Sequence, residues 1–211
     1  METARRHLAD VGAAGLSLRS VAREVGMVSS AVYRYVESRD ELLTRLIIEA
    51  YDSLGESVEA AVATPAGDLD RWVAGAIALR DWSLRRPHEY LLLYGSPVPG
   101  YAAPTDTVQP GTRVIRALVS VVTGAVDGGR LESPPKVDDL PDELSDDLRT
   151  LADIAELPQA PELLLAVLLG WTQMFGLLGF ELTNQTRGVV EHHEPLFVAC
   201  AIQTGRAVGL R

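Results

Sequence analysis

Cysteine is almost missing from this 211-residue chain. Cys200 stands alone, so no intramolecular disulfide can form, and the composition suits a reducing compartment. Cys200 itself reads as a small buried hydrophobe. Aromatic residues make up only 6% of the chain, and neither β-branched runs nor strand-like alternation stands out, so extended sheet is not expected. Gly-x-Ser-x-Gly, Walker and Gly-x-Gly-x-x-Gly motifs are all absent, which removes the common signatures of serine hydrolases and nucleotide-binding folds. His192 and His193, between Glu191 and Glu194, are adjacent and cannot share a helix face, and no other His or Cys stands at ligand spacing. They read as solvated or capping groups. The acids at 138–147 read as a solvated run. No catalytic residue, metal or cofactor is expected.

Positive charge is also scarce. Nineteen Lys and Arg face twenty-nine Asp and Glu, for a net charge of −10. The shortage is uneven. Residues 1–45 carry seven Arg against six acids, whereas the remainder carries twelve basic against twenty-three acidic groups. An acidic total argues against a protein coated in nucleic acid but leaves room for a small, locally positive docking face. The first ten residues contain Glu2, Arg5, Arg6 and Asp10 and no apolar core, unlike a signal peptide, and a cytoplasmic location is expected. A single stretch, "LLLAVLLGWTQMFGLLGFEL" (163–182), approaches membrane-spanning length. It holds Thr172 and Gln173 at its middle and Glu162 and Glu181 at its ends, without basic flanks, and so reads as buried core or subunit interface.

What remains is helical periodicity. Residues 2–14 place Ala4, Leu8 and Val11 on one face. Ser17 is a good N-cap for a helix over 18–25, closed by Gly26. A short helix over 29–35 follows. Ser38 and Glu41 form a capping box that opens a long helix. Helices are predicted at 68–86, 87–95 (with Pro at its first position), 111–127, near 142–155, 160–184 and 189–209, with a proline-rich loop at 96–110 and an acidic, proline-rich excursion at 127–162. The expected fold is all-α: an N-terminal three-helix helix-turn-helix domain (1–45) joined by a long helix to a larger helical domain (46–211).

Residues 18–36 carry the sharpest signal. Ala22 is small enough for close helix approach, Gly26 takes the turn, and Val21, Val25, Val32, Tyr33 and Val36 supply an apolar underside. Ser29, Ser30, Arg34 and Tyr35 are left outward: hydroxyls, a guanidinium and a phenol suited to phosphates and base edges. The stretch "LSLRSVAREVGMVSSAVYRYVESRDELL" (16–43) resembles the TetR-type (tetracycline-repressor) transcription regulators along its whole length. The resemblance rests on Leu18, Val21, Ala22, Val25, Gly26, Ala31, Val32, Tyr33, Arg34, Tyr35, Ser38, Arg39, Leu42 and Leu43. It implies DNA contacts from Ser17, Ser29, Ser30, Val32, Tyr33, Arg34, Tyr35 and Arg39, with Arg39 in place of a usual Lys at a phosphate. Tyr35 replaces a frequent His, Val36 a usual Phe, and Val28 a usual capping Ser, which moves the expected cap to Ser29.

The second half resembles a subtype with a Trp-x-x-x-His-Gly signature. Here "WTQMFG" keeps Trp171 and Gly176 and puts Phe175 at the histidine; "RRPHEYLLLYGSPVPGYAAP" (85–104) is similar too. This resemblance implies a homodimer through residues 160–209. It also implies an effector cavity with Trp72, Trp82, Tyr90, Tyr94, Trp171, Met174 and Phe175 as candidate lining residues. The expected function is a ligand-responsive regulator, a repressor released from pseudo-palindromic operator DNA by a small apolar effector, with the 87–95 helix as lever. The alternative is a small-molecule-binding or enzymatic bundle whose helix-turn-helix is structural only; sequence-specific DNA binding separates the two.

Overall fold

The computed structural model describes residues 1–132, 137, 140–155 and 161–211, less the side chains of residues 29, 30, 154 and 155. The described residues are helical, without strands. They divide into two compact units, residues 1–53 with 83–111 and residues 54–82 with 112–211.

The first unit contains α1 (Glu2–Gly15), α2 (Leu18–Glu24), α3 (Ser29–Val32), the start of α4 (Arg39–Val62), and α6 (Pro87–Tyr94). Ala4, Leu16, Leu18, Ala22, Val32, Val36, Leu42, Leu43 and Leu46 form its core, against which Leu92, Val98 and Tyr101 also pack. The expected α1 is present but interrupted. Gly12 takes φ 69°, ψ 172°, a conformation open to glycine at low cost. Val11, just before the break, is 47% exposed and not part of the core that Ala4 and Leu8 join. Within the expected loop at 96–110, residues Thr105–Thr107 and α7 (Val108–Gly111) are helical. Pro110 falls in the first turn of α7, where a missing N–H costs nothing.

The second unit holds all but the last three residues of α5 (Asp68–Arg85), α8 (Arg113–Asp127), α9 (Asp142–Ala155), α10 (Pro161–Leu182) and α11 (His193–Ala207), with the end of α4. Of the 127–162 excursion, residues 133–136, 138–139 and 156–160 lie outside the described residues. Trp72 organises the packing here. Its indole N–H donates to Thr204 Oγ1 at 3.3 Å. Gly170 on α10 and Gly205 on α11 make room for the ring: a Cβ at Gly205 would stand 2.9 Å from Trp72 Cδ1, and one at Gly170 3.3 Å from its Cζ2. Arg80 of α5 makes a two-pronged ion pair with Glu181 of α10, Nε to Oε2 at 3.0 Å and Nη2 to Oε1 at 2.7 Å. Both side chains are mostly shielded from solvent. On α4, Gly55 lets the Arg113 side chain lie across the helix and reach Glu59 at 2.6 and 2.8 Å.

Candidate nucleic-acid interface and effector residues

The α2–turn–α3 corner forms as its residue types dictate. Ala22 is fully buried at the helix crossing. Gly26 closes α2 at φ 71°, in the left-handed region. The Met27 N–H donates to the Ala22 carbonyl at 2.9 Å and fixes the turn. Ser17 holds the N-cap position of α2, with φ −138° and ψ 125°, but its hydroxyl makes no cap bond. At α3 the cap is Val28 rather than Ser29, because Ser29 is already helical. This helix is shorter than the sequence suggests. Beyond Val32 the chain tightens, with Arg34 and Tyr35 N–H groups donating to carbonyls three residues back.

That tightening sorts the side chains. Val32 and Val36 are buried in the core, so Val32 belongs to the underside and not to a groove-facing surface. Tyr33 goes the other way: at 47% exposed it stands with Arg34 and Tyr35 on the outer surface instead of the underside. Val25, expected on the underside, is 45% exposed because α2 ends one residue before it. The side chains of Ser29 and Ser30 lie outside the described residues. Arg39 opens α4, and its guanidinium is engaged within the protein: Nε donates to Leu16 O at 3.1 Å, and Nη2 to Ala13 O at 3.0 Å and Ala14 O at 3.3 Å. Sequence reasoning missed this bond set, since nothing in the spacing announces a contact across 23 positions. Ser38 Oγ accepts the Glu41 N–H at 3.0 Å, and the Glu41 carboxylate accepts the Glu37 N–H, one residue before the position of a standard capping box. That backbone N–H, with Arg45, holds the Glu41 carboxyl below its ordinary range.

Two family comparisons cover most of the chain. Residues 1–46 match bacterial regulatory proteins of the tetR family, and residues 72–201 match the tetracyclin repressor-like C-terminal domain. The chain belongs to the TetR family of transcriptional regulators. An HTH-type transcriptional regulator of Mycobacterium tuberculosis (strain H37Rv), Rv1816, is 41% identical over 188 residues, covering 88% of this chain and 80% of that one. A counterpart in Mycobacterium bovis, Mb1846, matches equally. Among solved structures, regulatory protein SCO4313 has a TM-score of 0.78 at 33% identity, covering 96% of this chain and 91% of its own. The TetR family transcriptional regulator PfmR of Thermus thermophilus shares the fold at TM-score 0.65 and 14% identity, covering 98% of this chain and 97% of its own. TetR-family membership makes the chain a regulator and not an enzyme, and it excludes the enzymatic alternative.

The seven aromatic and methionine residues expected around a TetR effector cavity are divided between the two units. In the first, Tyr90 and Tyr94 of α6 stand 5.3 Å apart, and Tyr94 meets Tyr51 edge-on at 6.0 Å. Burial pushes the Tyr90 and Tyr94 phenols well above the usual tyrosine range, so both stay neutral throughout the physiological span. In the second unit Trp72, Trp82 and Met174 are fully enclosed, and Trp72 has its N–H satisfied, which gives it a packing role. Trp171 and Phe175 are partly exposed and meet edge to face at 5.2 Å. The buried Trp171 Nε1 has no hydrogen-bond acceptor among the described residues. No cluster of metal-ligating groups occurs among the described residues.

Proposed function

We propose that this regulator is a homodimeric, ligand-responsive repressor that acts in the cytoplasm by binding pseudo-palindromic operator DNA. The observation that carries the reading is the sorting of residues 17–36. An apolar underside anchors a short helix whose outer surface offers Tyr33, Arg34 and Tyr35 to solvent, within the first 45 residues of an acidic chain, where seven Arg outnumber six acids. Ser17, Ser29 and Ser30 at the helix starts would add phosphate or base contacts. Two such surfaces, related by a two-fold axis, would enter major grooves one turn apart.

The homodimer is supported by α10. Its inner stripe, Leu164, Val167, Gly170, Met174 and Leu178, is buried among its helical neighbours. Its outer stripe is not: Leu169 is 52% and Phe180 49% exposed, and a Cβ at Gly176 would meet nothing. Only 28% of its most apolar 18-residue window is buried. An apolar face of this extent calls for a partner. Thr172 and Gln173, exposed at its middle, suit a second protein surface better than lipid. Beside it a cleft of about 380 Å³, lined by Leu165, Leu169, Gln173, Gln203 and Ala207, is open to a side chain of the second copy.

The effector is a small, largely apolar molecule bearing one hydrogen-bond acceptor. The unsatisfied Trp171 N–H beside Phe175 supports this chemistry. Its binding would favour a head spacing that misfits DNA and would shift the population off the operator. A gel shift on DNA upstream of the chain's own gene, over a range of salt, tests the reading. A retarded band that survives competitor DNA and shifts back with an effector is expected; an intact dimer without sequence preference would end it.

A further inference from the structure

We propose that Arg39 is a positioning residue that closes the helix-turn-helix, and not a phosphate contact. Leu16 and Arg39 lie on either side of the motif, one just before the α2 cap and one at the first position of α4. The Arg39 guanidinium joins them. Nε takes Leu16 O, and Nη2 takes both Ala13 O and Ala14 O. These carbonyls lie at the end of α1 and its C-cap, where the negative end of the helix dipole collects; of the three, Ala13 O also accepts the Leu16 N–H at 3.4 Å. The Gly12 break leaves only a short segment, residues 13–15, beyond the kink, and so little helix of its own to hold these oxygens in place.

The arrangement needs arginine. Three acceptors are served from one edge of a planar fork, Nε and Nη2. An ammonium offers its donors from a single point on a flexible stem and cannot span the same three oxygens. The remaining Nη1 lies 3.6 Å from Asp40 Oδ1, so a carboxylate already faces the free corner. A cation whose donors point into the protein and whose outer edge meets an acid is poorly disposed to a phosphate. It is well placed to fix where α3 stands, because α2, the turn and α3 all lie between its two attachment points.

The inference rests on operator binding by this chain, and the experiment separates the two. Operator and random-sequence affinities are measured by fluorescence anisotropy across a salt series for the wild type, Arg39→Lys and Arg39→Gln, with thermal melts confirming that each is folded at the assay temperature. If the wild type shows no operator preference, the repressor reading fails. Given that preference, Arg39→Lys is expected to weaken operator binding roughly tenfold, equivalent to about 1.4 kcal/mol. It should leave random-sequence binding and the slope of log K against log salt unchanged, and Arg39→Gln should keep that slope as well. Wild-type operator affinity in folded Arg39→Lys would overturn the proposal. So would a slope reduced by about one unit in Arg39→Gln, the mark of a lost phosphate contact. A variant that only melts earlier, with affinity and slope intact, would show a merely structural role and overturn it too.

Discussion

Arg34 and Val32 are two positions apart and end in opposite places, one in solvent and one in the core. Their separation shows what could be read from single residues. Small and apolar types at Ala22, Gly26 and Val36 announce the corner because its sterics admit little else. The fate of Val25, Val32 and Tyr33 depends on where each short helix stops, which a four-residue pattern cannot encode. Arg34→Ala should weaken operator binding by about 1–3 kcal/mol and leave the melting temperature nearly unchanged, if the guanidinium reads a base; a titration against operator and random DNA checks it. Gly205→Ala should destabilise the second unit by about 1–3 kcal/mol, because the added Cβ would stand 2.6 Å from Leu69 Cδ1 as well as against Trp72. Urea unfolding followed by tryptophan fluorescence reads that loss. The Glu59 carboxyl is held below its ordinary value by hydrogen bonds from Arg113. A depressed folded pKa stabilises above the unfolded value near 4.5 and is lost as pH falls through the folded one. Glu59→Gln should therefore narrow the gap from wild type below about pH 4.5 and widen it above, in melts from pH 3 to 7.

At the scale of elements, helices with strong periodicity and clear caps were legible from the sequence. The acidic segment yields α9 because Leu148 and Ala152 repeat four residues apart among charges, and both are buried. The helical turns at 105–111 were hidden by prolines, which mark loops on average but sit without strain in a first turn. The break in α1 was hidden because glycine within a helical pattern carries no sign of its φ. Ion pairs between elements far apart in sequence were not legible at all. Arg80 and Glu181, which pin α5 to α10, are separated by 101 positions. Removing one partner of so shielded a pair leaves the other uncompensated. Arg80→Met should cost about 3 kcal/mol, and the double variant Arg80→Met/Glu181→Met should recover much of it in a double-mutant cycle of denaturant melts.

For the whole molecule, the charge asymmetry of the sequence separates a near-neutral head from an acidic remainder. Packing draws its lines differently and groups residues 83–111 with the N-terminal helices. The contacts of Leu92, Val98 and Tyr101 with the head core contribute to that grouping; Leu92 sits on the predicted 87–95 helix, while Val98 and Tyr101 come from a loop with no periodicity to reveal them. The inner face of α10 was better announced: a helix apolar on nearly every face predicts core, and Leu164, Val167, Met174 and Leu178 are buried. Burial of its outer face belongs to the proposed dimer. Leu169→Glu should leave helicity by circular dichroism intact, convert the proposed dimer to monomer in sedimentation, and weaken operator binding through loss of the paired heads.

The uncovered outer face of α10 also bears on how many copies of the chain a cell keeps. In the proposed dimer the fold is completed by a second molecule and obeys mass action, so its melting temperature would depend on dilution. Each tenfold fall in concentration removes about 1.4 kcal/mol from the dimeric state. Scarcity would then be a form of instability. A regulator present in few copies would spend more time with α10 bare and open to proteases. A repressor that limits its own synthesis would limit its own lifetime as well.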